Sequence, residues 1–180
     1  MKPSHRLLLT ACCLLFIVAC LQPAALYAKA VKDTKGLCLE CHSKKVDELT
    51  KKATVHQPVK DGKCTWCHNP HTSKHPGLLA YTGGDLCYNC HDRKKGFTDA
   101  IVHKPVEEGN CLSCHNAHSS DRKGLLKKAE GETCFSCHPR EGVIAKKNVH
   151  PEVKKGRCTA CHSPHSSDRE GLLLKDKKSL

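Results

Sequence analysis

The segment at residues 102–126 reads VHKPVEEGNCLSCHNAHSSDRKGLL, and close copies of it occupy residues 55–79 and 149–173. The copies begin 47 residues apart, a period typical of arrays that repeat one supersecondary unit. Each copy contains Cys-x-x-Cys-His, and another Cys-x-x-Cys-His precedes each copy. The sequence therefore predicts three tandem units, at about residues 36–80, 84–127 and 131–174.

Six intact Cys-x-x-Cys-His motifs predict six covalently bound haems of the c type (heme c). In this motif the two thiols bond to the porphyrin, and the adjacent histidine reaches the iron from one face. The chain has 15 cysteines, and twelve of them lie in the motifs. The predicted attachment residues are Cys38, Cys41, Cys64, Cys67, Cys87, Cys90, Cys111, Cys114, Cys134, Cys137, Cys158 and Cys161. The predicted iron ligands beside them are His42, His68, His91, His115, His138 and His162.

Each unit contains two further histidines at fixed positions, which match the second axial ligand that each iron needs. One follows a valine, and the other lies three residues after the histidine of the second motif. These predicted distal ligands are His56, His71, His103, His118, His150 and His165. Residues three apart share a face of a helix, so the second kind must serve a haem other than the one attached beside it. We expect it to serve the first haem of its own unit, and the Val-His kind to serve the second.

Methionine, the usual alternative axial ligand, raises the reduction potential of a haem. The only methionine here is Met1, which signal cleavage would remove. We therefore expect six low-spin haems of low potential, each with two histidine ligands. His75 aligns with Arg122 and Arg169, so it breaks the repeat, and we expect it to be a surface residue.

Aromatic side chains are scarce, with three Phe, three Tyr and one Trp in 180 residues. Such a chain buries too little apolar surface to offset its conformational entropy. We expect the haems to form the core of a mostly irregular fold with short α-helices around the haem motifs. Gly-Leu-Leu, which closes each unit, is expected to begin other helices, and no segment shows the alternation of a strand.

The first 30 residues have the pattern of a secretory signal peptide. Lys2, His5 and Arg6 precede an apolar run, and Ala28-Lys29-Ala30 forms a cleavage site of the small-x-small type. The run is short for a membrane-spanning helix, which needs about 20 apolar residues. We expect residues 31–180 to form one exported hexahaem domain in the periplasm.

A second interpretation of the same region is lipidation. Ile17-Val18-Ala19-Cys20 resembles a bacterial lipoprotein signal, in which Cys20 becomes the lipidated first residue. The protein would then be an outer-membrane or cell-surface lipoprotein, and an extracellular location is a further alternative. We expect contact with a membrane only if Cys20 is lipidated.

The formal net charge of +12 does not by itself indicate a nucleic-acid-binding protein. Each haem brings two propionates, so six haems bring up to twelve negative charges. The scarcity of aromatic residues also leaves no evident stacking surface for bases. We expect no nucleic-acid partner.

The doubled motif resembles that of multihaem c-type cytochromes, over about residues 36–174. This group includes the small electron-donor partner of periplasmic nitrite reductase and the decahaem cytochromes inside outer-membrane porins. The resemblance implies an elongated row of bis-histidine haems, in which neighbours alternate between stacked and perpendicular pairs. Six haems match neither the five nor the ten of those relatives, so neither role transfers directly.

The function predicted from these features is electron transfer between redox proteins in anaerobic or metal-linked respiration. The predicted partners are a membrane quinol-oxidising donor and a terminal reductase or outer-membrane conduit. Three alternatives remain at this point: an array of four-thiolate zinc sites, a nitrite- or hydroxylamine-converting enzyme with an open haem, and a filament-forming haem subunit. The twelve histidines matching six irons favour an electron carrier without catalytic residues over an enzyme.

Overall fold

Short helices joined by irregular loops make up the computed structural model, which describes residues 34–95 and 97–179. The predicted signal peptide, with Cys20, lies outside the described residues. The longest helix is α1, of 17 residues, and the other α-helices have four to six. Their bounds are α1 Thr34–Thr50, α2 Gln57–Lys60, α3 Gly83–Tyr88, α4 Lys104–Glu107, α5 Glu130–Cys134, α6 Arg140–Ile144 and α7 Pro151–Lys154. The prediction of a mostly irregular fold with short helices in three tandem units is confirmed.

Short 3-10 turns occupy two fixed places in every unit. The first is at the beginning of the second motif, in Cys64–Trp66, Cys111–Ser113 and Cys158–Ala160. The second covers the Gly-Leu-Leu segment, in Pro76–Leu78, Lys123–Leu125 and Glu170–Leu172, and a further turn spans Lys177–Ser179. The expectation that Gly-Leu-Leu begins a helix is wrong, because the glycine and the first leucine both adopt left-handed backbone angles. In the first unit φ is 68° at Gly77 and 55° at Leu78, which ends the helical path.

In the described part of the chain, four strands of two residues each connect neighbouring units: β1 Thr54–Val55, β2 Ile101–Val102, β3 Ser119–Ser120 and β4 Ser166–Ser167. Strand β1 of the first unit pairs antiparallel with β3 of the second, so that Thr54 lies opposite Ser120. Strand β2 of the second unit pairs in the same way with β4 of the third, so that Ile101 lies opposite Ser167. The expectation of no strands was wrong, since a two-residue strand is too short to show alternation.

Within the second and third units, the first motif lies against the second through a close contact between glycines. A Cβ atom on Gly109 would lie 2.8 Å from the backbone nitrogen of Gly84, and one on Gly156 would lie 3.1 Å from the Cα of Gly131. Gly109 and Gly156 also have φ angles of 70° and 69°. Both positions therefore require glycine, and the contact brings the two haem motifs of a unit together.

Among the described residues, no apolar side chain is buried, and the buried polar residues are the four serines of β3 and β4. The polypeptide alone thus gains little of the free energy that apolar burial normally contributes to folding. The haem core stays a prediction. Within the described ranges, no helix is long and apolar enough to cross a membrane.

Candidate functional site

Five of the six motifs fold as one tight turn that places the two cysteines and the histidine together, and the first motif, Cys38–His42, lies within helix α1. The backbone N–H of the histidine donates to the carbonyl of the first cysteine, as in His68 to Cys64 at 3.0 Å and His91 to Cys87 at 3.0 Å. The same bond forms in the motifs that end at His115, His138 and His162. Residues three and four apart on such a turn point to one side. The turn therefore directs both thiols and the imidazole toward one side of the backbone.

The histidine of the second motif is held by the Gly-Leu-Leu segment. Its Nδ1 lies 2.8 Å from the carbonyl oxygen of Gly77 in His68, and the two equivalent distances, His115 to Gly124 and His162 to Gly171, are both 2.7 Å. A carbonyl oxygen only accepts, so Nδ1 carries the hydrogen and Nε2 is free to bind a metal. Sequence reasoning missed this role, although the fixed distance between the histidine and Gly-Leu-Leu was visible.

Two of the Val-His histidines, His56 and His103, are oriented in the same way, but by a carbonyl from the next unit. Nδ1 of His56 donates to Ala117 at 2.9 Å, and Nδ1 of His103 donates to Pro164 at 3.0 Å. Their backbone N–H groups also donate to the carbonyls of His118 and His165, both at 2.9 Å. These bonds extend the β1–β3 and β2–β4 pairs by one residue.

Among the described residues, four pairs of histidine rings lie at a spacing suited to iron ligation; three are stacked within 21° of parallel, and the fourth, His115–His165, is tilted by 41°. In every pair a motif histidine meets a predicted distal histidine from a neighbouring unit. Two iron–nitrogen bonds of about 2 Å, with roughly 1.1 Å from each nitrogen to its ring centre, give about 6.2 Å between ring centres. The observed pairs are His56–His91 at 5.9 Å, His68–His118 at 6.0 Å, His103–His138 at 6.1 Å and His115–His165 at 5.9 Å. The residues present therefore fit haem c with two histidine ligands.

The expected assignment of distal ligands within a unit is wrong, because the pairs cross unit boundaries. His56 and His103 meet the first motif of the following unit, whereas His118 and His165 meet the second motif of the preceding unit. The cause is the strand pairing, which sets these segments of neighbouring units side by side. His118 and His165 lie opposite a motif histidine other than the one beside them in the chain, as that argument requires.

Burial affects two of the distal histidines. Desolvation lowers the pKa of His118, and the nearby His68, His56 and Lys45 add to the effect. Desolvation likewise lowers the pKa of His165, followed by His115 and His103. Both shifts favour the neutral form of the imidazole, which is the form that binds a metal.

The motif cysteines lie beside one another in sequence order. Burial, followed by the neighbouring Cys111 thiol, raises the pKa of Cys87 to about 11. Burial, followed by Cys158, Glu130 and Cys114, raises the pKa of Cys134 to about 12. Cys38 has Cys64 as its neighbour, and Cys67 has Cys90. Each motif is therefore adjacent to the motif before it and the motif after it.

The zinc alternative lacks support in the structure. Among the described residues, no group of three or more His, Cys, Asp or Glu side chains is placed to hold a metal ion, and the twelve motif cysteines are free.

His75 is half-buried rather than fully exposed. Its backbone N–H donates to Ser73 Oγ at 2.9 Å, as the aligned Arg122 donates to Ser120 at 3.1 Å.

Four of the predicted ligands have no facing ring among the described residues: His42, His71, His150 and His162. They are the first and the last motif histidine of the array and the two distal histidines whose counterparts in other units pair across a junction. Nδ1 of His150 accepts a hydrogen bond from the Glu152 N–H at 3.4 Å, unlike the aligned His56 and His103, which donate to a carbonyl.

Comparison with protein families agrees with this arrangement. A sequence model described as "Doubled CXXCH motif" matches residues 56–96, 103–142 and 150–180, which is more than half of the chain. The chain belongs to the doubled CXXCH motif family. This family is typical of multihaem c-type cytochromes, which bind haem c covalently and carry electrons. A comparison with curated proteins finds no match.

The matched segments of this multihaem cytochrome are offset from our units by half a repeat. Residues 56–96 contain both members of the pair His56–His91, and residues 103–142 contain both members of His103–His138. The third match begins at His150 but contains only one CXXCH motif. The family's repeat thus spans the boundary between our units, where the ligand pairs form.

Proposed function

We propose that the protein is an exported hexahaem cytochrome that passes electrons along a row of closely spaced haems. The observation that carries this proposal is the set of four histidine pairs at 5.9–6.1 Å, each joining two units. Membership of the doubled CXXCH motif family supports electron transfer by a multihaem cytochrome c. No side chain of the chain is assigned a catalytic role.

Each haem is held by the two cysteines of one motif and by the histidine that follows them. When bound, the haem irons supply reversible one-electron chemistry. The chain's own contribution is to orient the ligands, since a backbone carbonyl fixes one imidazole in each of the four pairs. Histidine at both axial positions places the potentials on the low side of the range open to haem proteins.

The path of the electrons follows from the order of the motifs. Cysteines of consecutive motifs are neighbours both within units, as in Cys87 and Cys111, and between units, as in Cys67 and Cys90. Haems attached at these residues form a row in sequence order, from the motif at Cys38 to the motif at Cys158. Electrons enter at one end of this row and leave at the other.

The setting proposed for this relay is anaerobic or metal-linked respiration outside the cytoplasm. The support is the signal-like pattern of residues 1–30, with Cys20 as the alternative lipid attachment site. The partners are a membrane quinol-oxidising donor on one side and a terminal reductase or outer-membrane conduit on the other.

Two measurements on the purified protein test the proposal. Intact mass is expected to show six haems and to give the cleavage site and any lipid at Cys20. Electron paramagnetic resonance of the oxidised protein is expected to show low-spin haems from the four internal pairs. A mass with fewer than six haems, or high-spin signals from the internally paired positions, would contradict it.

The enzyme alternative is favoured by one observation, the lack of a facing ring for His42 and His162 among the described residues. A haem with one protein ligand has a position at which nitrite or hydroxylamine binds. We expect the reduced protein to show no turnover of either compound when assayed with a chemical reductant. Sustained consumption of either one, lost in His162→Ala or in His42→Ala, would establish the enzyme.

A further inference from the structure

We propose that further copies of this chain, joined head to tail, complete the ligand pairs at the two ends of the molecule, one copy at each end. This inference rests on the proposed function, because it assigns the histidines that the four internal pairs leave over. It concerns four residues of the described chain, His42, His71, His150 and His162.

The model for the contact is the junction between units, which occurs twice inside the chain. Each junction contains one antiparallel strand pair, one backbone bond from a Val-His histidine, and one bond from its Nδ1 to a carbonyl. Two histidine pairs cross each junction in opposite directions, such as His56–His91 and His68–His118 at the first. The two junctions agree in all of these parts.

The ends of the array carry the two separate halves of a third junction. Asn148-Val149-His150 aligns with Thr54-Val55-His56 and with Ile101-Val102-His103. His71-Thr72-Ser73 aligns with His118-Ser119-Ser120 and with His165-Ser166-Ser167. We name residues 148–150 the leading edge and residues 71–73 the trailing edge. At the internal junctions, the histidine aligned with His150 donates through its backbone N–H and its Nδ1 to carbonyls at and just before the histidine aligned with His71.

Exposure separates these edges from their internal counterparts. His56 and His103 are half-buried, whereas His150 is exposed. Ser119 and Ser166 are only 3% and 4% exposed to solvent, whereas the aligned Thr72 is exposed. Among the described residues neither edge belongs to a strand pair, and exposed edges of this kind can pair with another chain.

A head-to-tail contact accounts for every remaining ligand. The leading edge of one copy would bring its His150 to His42 of the next copy, as His103 meets His138 inside the chain. The trailing edge of the next copy would bring its His71 back to His162, as His118 meets His68. The contact is heterologous, so it repeats without closing unless the rotation between copies forms a ring.

Charge distinguishes the proposed contact from the internal junctions. At the internal junctions Asp121 accepts from the Ala53 N–H, and Asp168 accepts from the Ala100 N–H at 3.0 Å. The residue aligned with these aspartates beside the trailing edge is Lys74, and the leading edge follows Lys146 and Lys147. Like charges then face each other, so association is weak at low ionic strength and strengthened by salt.

This charge pattern gives a gain-of-function test on the holoprotein. We expect Lys74→Asp, which restores the carboxylate of the internal junctions, to lower the protein concentration at half-assembly at least tenfold. Lys94→Asp makes the same change of charge outside both edges and is expected to leave that concentration unchanged. Light scattering measures the size of the particles, and electron paramagnetic resonance on the same samples measures the high-spin fraction.

The two readouts must change together. In dilute wild-type protein we expect two of the six haems to be high-spin, and this fraction to fall as particles grow. In the Lys74→Asp background, His150→Ala and His71→Ala are expected to prevent both changes. A monomeric Lys74→Asp protein at all concentrations, growth without loss of the high-spin signal, or six low-spin haems in the monomer would overturn the proposal.

Failure of the proposed function would look different. The haem count by mass and the low-spin signals of the four internal pairs are independent of assembly, and they serve as the folding control for every variant. If those signals are absent, electron relay by paired haems is wrong. If they are present in a protein that never assembles, only the head-to-tail contact is wrong.

Discussion

The internal junctions and the two array edges share one sequence pattern but differ in structure. At the junctions, His56 and His103 are half-buried and donate through Nδ1 to a carbonyl of the next unit. At the leading edge, the aligned His150 is exposed, and its Nδ1 accepts from Glu152. A unit therefore carries the right number of ligands without being able to use them alone. The histidine pairs are therefore completed by the array of units and not by a single repeat.

The largest expected effect separates a junction histidine from an edge histidine. His103→Met replaces one ligand of the His103–His138 pair with a thioether, which raises the potential of one haem by on the order of 100 mV or more. His150→Met in dilute protein is expected to leave all potentials unchanged, because His150 faces no ring within the described residues. Spectropotentiometric titration of both variants beside the wild type measures the difference. Equal shifts in the two variants would remove the distinction between junction and edge.

The glycine contacts inside the units allow a graded test of how rigidly the motifs are held. Gly156→Ala combines a left-handed φ of 69° with a Cβ only 3.1 Å from Gly131, and we expect it to destabilise by about 2–3 kcal/mol. Gly124→Ala has a φ of 67° but open space, so about 1 kcal/mol is expected.

Gly142→Ala is the matched control for that series, since α6 gives it ordinary helical angles and nothing lies within 4 Å of its Cβ. We expect it to be neutral or to stabilise by up to about 1 kcal/mol. Urea unfolding of the holoproteins ranks the three variants. If Gly156→Ala and Gly142→Ala unfold alike, the close approach of the two motifs does not contribute to stability.

The smallest expected effect concerns a surface ion pair at the first junction, between Lys52 and Asp121 at 2.7 Å. The hydrogen bond from Lys52 lowers the pKa of Asp121. The ion pair therefore stabilises the folded protein at pH values above the ordinary pKa range of a carboxyl group, and this stabilisation is lost as pH falls below about 4. We expect Lys52→Ala to lower the melting temperature slightly at neutral pH and low salt.

Salt and acid provide the controls for that ion pair. In 1 M salt, or at a pH below the carboxyl range, Lys52→Ala and the wild type are expected to differ less. Asp121→Asn should reproduce the effect of Lys52→Ala, and the double variant should add little to either. A loss that is independent of salt would show that Lys52 acts through packing rather than charge.

The sequence predicted which residues form the sites, but it did not predict which histidines pair with each other. Three units, the CXXCH residues and the irregular fold followed from the motif and its period of 47 residues. That His118 meets His68, rather than a partner in its own unit, did not follow. Spacing along the chain shows which residues recur in every unit. Which residues of two neighbouring units lie opposite each other depends on the strand pairs β1–β3 and β2–β4.

Other features escaped because their signal is short or indirect. Strands of two residues leave no alternation to detect. Gly109 was visible as a turn, but its contact with Gly84 depends on how the first motif crosses the second. The carbonyl of Gly77 as the acceptor for His68 depends on left-handed angles at a leucine, which residue preferences disfavour.

The carbonyl bonds to imidazole have a consequence for the energetics of the row. Each of the four internal pairs contains one ring whose Nδ1 donates to a backbone carbonyl: the motif histidine in His68 and His115, and the distal histidine in His56 and His103. Such a bond makes an imidazole a stronger electron donor to its metal. Because every internal pair contains one such bond, this bond creates no difference in reduction potential between one internal haem and the next. The direction of electron flow along the row is therefore set by the electron donor and the electron acceptor at its two ends.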